Sequence, residues 1–254
     1  MDGPFPSFFN DMNKELSIFI DESGDYGILG DKLVNSKHKK QEELYVISFV
    51  FHDQQIDISN QIDFQNKKNE HFGFDVTKPL HFAPLLRGDD DFYKSFTNDE
   101  KLSIYMSESY FINHIDISCA IITIDKTSVQ STDEFKNKFV TAINSLYSSC
   151  SKYFDSFDQF KIYYDDGQGL VRKILNECDF CNKKPCIPKR KFEVANYQLF
   201  GLCDYLCTIE LIKYKRKNNC SSSNELALFP NQDTFRKRII KTINNNLVIK
   251  KHSN

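Results

Sequence analysis

The sequence predicts one α/β domain on a central mixed sheet, and three observations carry that expectation. Two compact runs rich in β-formers, LSIFI at 16–20 and LYVISFVF at 44–51, are apolar throughout, as buried strands are. From residue 115 onward strand and helix signals alternate, which implies crossover connections and parallel strands. With 40% apolar and 27% charged residues, a chain of 254 residues can bury a sizeable core.

Residues 1–14 read as a loose arm, with Phe5, Phe8 and Phe9 able to dock on the body. The first strand, 16–20, runs into the turn-like ESGDYG, and 44–51 pairs with it antiparallel across a long polar loop. Residues 54–75 are polar with irregular apolar spacing, consistent with a short helix. KPLHFAPLLRGDDD reads as a loop holding His81 and Arg87. A helix follows at 98–114, a strand at 115–126 and an amphipathic helix at 132–147, with Phe135, Phe139, Ile143 and Leu146 on one face. Then come a strand at 157–164, a helix at 169–178, a short strand at 192–195, a long helix at 198–215 and a last helix at 234–245. The serine patch at 221–224 reads as the loop between the last two helices. The expected boundaries are an arm at 1–14, the domain at 15–217 and a basic helical extension at 218–254.

No apolar run reaches the ~18 residues a membrane span needs, and MDGPFPSFFNDMNKE lacks the pattern of a signal peptide. The expectation is a cytoplasmic protein with no membrane partner. Its eight cysteines are then reduced thiols. Three of them, Cys178, Cys181 and Cys186, form C-x2-C-x4-C, but a structural zinc wants four ligands and no nearby His supplies the fourth.

The acidic residues carry the chemistry. Asp21 directly follows one apolar strand and Asp165 another. If those strands are parallel, both carboxylates emerge at the same C-terminal edge, where α/β proteins hold ligands. Turn chemistry alone also favours Asp at a strand end. Asp204 sits in the otherwise apolar helix LFGLCDYLCTIELI, where burial demands a cation or strong donors. The competing reading of Asp204 is a structural ion pair. Three carboxylates on two strand ends and a helix suit Mg²⁺ or Mn²⁺, which prefer hard oxygen ligands. Two such ions about 4 Å apart activate a water and stabilise the leaving oxygen in phosphodiester cleavage.

Charge is unevenly spread. From Lys183 onward lie 15 of the 33 Lys and Arg but 5 of the 35 Asp and Glu. Candidate contacts to a nucleic-acid backbone are Lys189 and Arg190, then Lys213 and Arg216 after the Asp204 helix, then Arg236, Lys237 and Arg238. Arg87 and Lys126 join them from the loop and the 115–126 strand end. Each is also an ordinary solvated or helix-terminal cation.

In order, IFIDESGDYG, LYVISFVFHDQ, LHFAPLLR, IDK, IYYDDGQ and LFGLCDYLCTIEL resemble the bacterial domain-of-unknown-function 3800 family, from about residue 16 to beyond 215. That resemblance implies a ribonuclease H-like fold, nuclease activity and an acidic set of Asp21, Glu22, Asp165 and Asp204. It adds His81 and Lys126 at the site edge, with His81 as a general acid or substrate contact. It also implies a role as a bacterial defence effector against phage, which no residue displays. Glu22 would face away from Asp21 on a regular strand and joins the site if the chain turns at Ser23-Gly24. Relatives carry Gln where this chain has Gly201, and Asn where it has Asp166, so the ligand role falls to Asp165. The leading expectation is a divalent-metal-dependent nuclease acting on RNA or DNA. Its rivals are a phosphohydrolase using Asp21 as nucleophile and a non-catalytic nucleic-acid-binding or interaction protein. Homo-oligomerisation is left open.

Overall fold

Two apolar runs from the first fifty residues form the middle of the sheet. In the computed structural model, which describes residues 13–24, 43–164, 169–189 and 197–253, β1 (Glu15–Ser23) pairs antiparallel with β2 (Leu44–Asp53) and parallel with β4 (Gln159–Tyr164). β2 pairs antiparallel with β3 (Ser118–Asp125). β5 (Cys186–Lys189) extends the sheet parallel to β4, and β6 (Leu247–Ser253) extends the other edge parallel to β3. The order is β5-β4-β1-β2-β3-β6. Every strand but β2 runs the same way, so the C-terminal ends of β1, β3 and β4 share one edge. The neighbour relations expected for the strands before Asp21 and Asp165 are both present.

Both faces of the sheet are buried, which is why β1 and β2 read as continuous apolar runs rather than alternating ones. Strand alternation splits them cleanly. Phe19, Val46, Val50, Ile121 and Tyr163 face one core. Ile18, Ile20, Tyr45, Ile47 and Phe49 face the other.

The helices are α1 (Ser59–His71), α2 (Phe82–Arg87), α3 (Asp91–Lys94), α4 (Asn98–His114), α5 (Thr132–Ser149), α6 (Ser151–Phe154), α7 (Gly169–Glu177), α8 (Asp179–Lys183), α9 (Tyr197–Lys217), α10 (Ser223–Leu228), α11 (Gln232–Phe235) and α12 (Lys241–Asn246). Helices α5 to α8 cover the second core, and α9 lies on the first across β1 and β2. Ser48 Oγ on β2 donates to the Cys203 carbonyl of α9 at 2.9 Å. A capping box between Thr97 and Glu100 starts α4 where the sequence placed it.

Four differences from the sequence reading have structural causes. The LHFAPLLR segment is a helix, α2, because its first residue is held from outside the segment, as shown below. The serine patch is interrupted by a second capping box, Ser222 with Glu225, which starts α10. The final helix runs from α11 to α12 through a π turn, Arg236–Ile240, and the Arg238 carbonyl accepts from Ser109 Oγ at 2.9 Å. Beyond it the chain returns to the sheet as β6. Phe229, Phe235, Ile239 and Ile243 are buried in the α9 core, so the segment after 217 packs as part of one body. The short strand expected at 192–195 and the aromatic arm residues lie outside the described residues.

A buried polar chain ties the start of α9 to α1 and α4. Gln65 Nε2 donates to Glu108 Oε2 at 3.0 Å, and Asn69 Nδ2 donates to Gln198 Oε1 at 3.0 Å. Burial pushes the Glu108 carboxyl up to about 8, against the ordinary 4.5, so near neutral pH it is protonated in the folded chain. Between about pH 4.5 and 8 the unfolded chain releases a proton that the folded chain keeps. This group therefore lowers stability as pH rises through that window and stops doing so above it. Glu108→Gln removes the titration with little change of shape. Its stability relative to the parent is expected to rise from pH 5 to pH 8 in denaturant unfolding series. A pH-independent difference would contradict the assignment.

Candidate metal and nuclease site

The C-terminal edge of the sheet is built from β1 outward. Asp21 sits near the end of β1 on the α9 side, by alternation from Phe19. Its Oδ1 accepts the Glu22 N–H at 2.9 Å. Gly24, with φ of 98°, follows the strand, and a Cβ there would meet the Leu44 carbonyl at 3.0 Å, so glycine suits the turn. The last described pair between β1 and β4 is Ile20 with Tyr164. Asp21 and Asp165 are the next residues along these two parallel neighbours. Asp165 and Asp166 themselves lie outside the described residues.

Helix α9 brings Asp204 to the same edge. Cys207, one turn beyond Asp204, has its thiol 3.5 Å from the Asp21 carbonyl. Burial, then the charge of Asp21 and, more weakly, that of Asp204 push this thiol up, so it stays protonated and donates. The same thiol therefore feels both carboxylates.

The Asp204 side chain is 16% exposed, and donors meet it from three directions. Oδ1 accepts the Phe82 N–H at 2.9 Å and the Thr208 hydroxyl at 3.2 Å. Oδ2 lies 3.1 Å from His81 Nδ1. Phe82 is the first residue of α2, so the carboxylate satisfies one of that helix's open N–H groups and complements its positive end. The Phe82 carbonyl accepts from Tyr105 Oη at 2.8 Å, and its ring packs edge-on to Tyr105 and Tyr205. Held at N–H, C=O and ring, LHFAPLLR folds as a helix that its own sequence does not announce. The ion pair with Lys or Arg considered for Asp204 is replaced by this set.

Gly201 faces the Leu80 backbone. A Cβ there would lie 3.4 Å from the Leu80 backbone N and O, in contact with the segment that delivers His81.

Other candidates fall into three groups. Glu22 stays on the opposite face, because β1 continues through Ser23; its Oε1 accepts from Tyr164 Oη at 3.1 Å, so the chain does not turn early enough to bring it to Asp204. Lys126 stands just past β3 at the same sheet edge but is 1% exposed, so its ammonium lies inside rather than on a solvated rim. The basic groups are largely committed within the chain. Arg87 Nε donates to both Asp89 oxygens at 3.0 and 2.9 Å, and Lys213 pairs with Glu210 at 3.2 Å. Arg216 donates to the Phe229 carbonyl and lies 5.2 Å over the Phe235 ring, pinning the C-terminal segment. Arg236, Lys237 and Arg238 are exposed on the π turn, with Lys237 3.7 Å from Asp233. Lys189 ends β5, its side chain undescribed, and Arg190 lies outside the described residues. Of the cysteines weighed as zinc ligands, Cys178 donates to the Ile174 carbonyl at 3.0 Å and Cys186 to the Phe180 carbonyl at 2.7 Å. Among the described residues no three His, Cys, Asp or Glu side chains are arranged to hold a metal.

The sequence reading missed a cavity of about 510 Å³ beside His81, lined in part by Phe74, Phe92, Tyr93, Asn69 and Gln198. Its one outward signal was the aromatic density of DFYKSF at 91–96.

No protein-family model matches the chain, and no curated protein matches it. Among solved structures, the complex of PCNA with RNase HII from Archaeoglobus fulgidus is similar at 11% identity over 83% of this chain and 81% of that one, with a TM-score of 0.38. A likeness of that size carries no inference here. Among the described residues no helix is long and apolar enough to cross a membrane.

Asp204 thus holds α2 whatever else it does. Asp204→Asn keeps an oxygen for Phe82 and Thr208, whereas Asp204→Ala leaves a helix N–H and a hydroxyl unmet. Thermal and denaturant unfolding are expected to show Ala costing about 1–3 kcal/mol and Asn clearly less. Equal effects would contradict the capping geometry.

Proposed function

We propose that this chain is a divalent-metal-dependent nuclease of the ribonuclease H-like kind, a distant member of the domain-of-unknown-function 3800 group, cleaving phosphodiester bonds in RNA or DNA. The observation that carries the reading is that α9 brings Asp204 to within one turn of Cys207, whose thiol lies against the Asp21 backbone carbonyl, beside the strand that leads into Asp165. The donor set suits a hard cation. Its oxygens are carboxylate, and Asp204 keeps lone pairs beyond those that meet Phe82, Thr208 and His81. Asp21, Asp165 and Asp204 would hold Mg²⁺ or Mn²⁺. A bound ion of that type supplies Lewis-acid charge for activating water and for the leaving oxygen.

The chain's own groups do the positioning. The Phe82 N–H and Thr208 hydroxyl fix the plane of the Asp204 carboxylate, the kind of outer support that orients metal ligands. His81, with Nδ1 against Asp204 and the side chain 49% exposed, is the group at this site that can hold or give up a proton near a bound phosphodiester. The exposed Arg236, Lys237 and Arg238 are the basic groups best placed to attract a polyanion.

A second reading is favoured by one observation: the donors around Asp204 already account for its burial. On that reading the chain binds nucleic acid, or another partner, without cutting. The two separate in a cleavage assay with labelled single- and double-stranded RNA and DNA, in Mg²⁺, Mn²⁺ or chelator. The nuclease reading expects metal-dependent cleavage, reduced more than about a hundredfold in each of Asp21→Asn, Asp165→Asn and Asp204→Asn. Cleavage by Asp204→Asn at the parent's rate, or none by the parent on any substrate, favours the binding protein.

A further inference from the structure

We propose that the cavity beside His81 is a binding site for one unpaired nucleobase, so that the substrate of this site is single-stranded or locally unpaired nucleic acid. The inference rests on the nuclease reading of the neighbouring carboxylates and adds a specificity element to it. His81 belongs to both places: it lines the cavity and contacts Asp204. Tyr93 lines the cavity too, and its phenol meets the backbone N–H of His81. A group seated in the cavity is therefore next to the proposed reaction centre.

Three features of the lining select a base rather than a phosphate. The first is an aromatic wall. Phe92 lines the cavity, is 43% exposed and packs edge-on to Phe74 with ring centroids 5.4 Å apart, so apolar ring surface remains uncovered there. The second is charge. Asp75 and Asp90 line the cavity, and Lys78 in the same lining is paired with Asp75 at 3.1 Å. Hydrogen bonds from Thr77 hold the Asp75 carboxyl down at about 2, so it is ionised at any working pH. A phosphate is repelled there, whereas a neutral ring is not. The third is a directional donor. Gln198 is buried, its Oε1 is taken by Asn69, and its Nε2 has no partner among the described residues. That amide offers hydrogen-bond donors to the edge of a flat heterocycle, as base readout requires. Aromatic stacking with one amide contact is the recognition used for bases of single strands. A paired base cannot enter, because its face is covered by its stacked neighbours.

The test uses the full chain and a short single-stranded oligonucleotide carrying 2-aminopurine, titrated in chelator so that cleavage plays no part. The parent is expected to quench the fluorophore on binding, and the same oligonucleotide in a duplex is not. Phe92→Ala is expected to weaken single-strand binding about tenfold. Its salt dependence should be unchanged, since no phosphate contact is lost. Phe92→Leu, which keeps apolar contact with Phe74 but removes the ring face, guards against a folding defect and should show the same loss. Phe64→Ala, an exposed aromatic outside the cavity, should bind as the parent does. No quenching by the parent, equal quenching of duplex and single strand, or affinity within twofold of the parent in both Phe92 variants would overturn the proposal. A chain that binds bases through Phe92 yet cuts nothing in Mg²⁺ or Mn²⁺ would refute the nuclease reading and leave the base site standing. Cleavage that ignores Phe92 would do the reverse.

Discussion

A carboxylate placed in an apolar helix must be met by donors or pay heavily for its burial, and much of this structure follows from how Asp204 is met. The Phe82 N–H, the Thr208 hydroxyl and His81 surround it. The Leu80 backbone passes close to Gly201 of α9, just before Phe82 reaches Asp204. That approach starts α2, sets Tyr105 against the Phe82 carbonyl and puts His81 at the mouth of the neighbouring cavity. A single half-buried carboxyl group thus holds one short helix, one histidine and one cavity wall. The same contacts serve stability and the proposed chemistry, which is why the conservative Asn and the truncating Ala report on different things.

The sheet supplies the second half of the arrangement. With β2 as its one reversed strand, it delivers the ends of β1, β3 and β4 to a single edge. Helix α9 crosses β1 and β2 at that edge and is locked there by the Ser48–Cys203 bond and by the Cys207 thiol against Asp21. The α9 end is secured in turn by Arg216, which grips the Phe229 carbonyl and the Phe235 ring, and by Lys215 paired with the buried Glu225. Arg216, a candidate backbone contact in the sequence, here fastens the C-terminal segment to the domain.

What the sequence shows is what depends on near neighbours. The strands at 16–20 and 44–51 are legible because burial on both faces leaves no polar interruption, and α4 because Thr97 and Glu100 write its start. The parallel pairing of β1 with β4 was legible from the carboxylates that follow both strands, and Asp21 and Asp204 stood out by position, whereas His81 came only with the family resemblance. Long-range causes were not legible. Helix α2 depends on a carboxylate 122 residues away, and β6 is a short strand whose partner is β3. The face taken by Glu22 depends on β1 running on through Ser23, where Ser-Gly suggested an earlier turn. Lys126 was expected at the solvated end of a strand, yet the chain folds over it. Charge counts say less for the same reason: sequence gives the number of cations and not their partners.

The central claim is that Asp21 and Asp204 bind one divalent-ion centre. Mn²⁺ binding, followed by electron paramagnetic resonance with parent, Asp21→Asn and Asp204→Asn, tests it without requiring a substrate. The account predicts saturable Mn²⁺ binding by the parent that is weakened at least about tenfold in each variant, while both variants remain folded. Mn²⁺ binding by Asp204→Asn equal to that of the parent would contradict it.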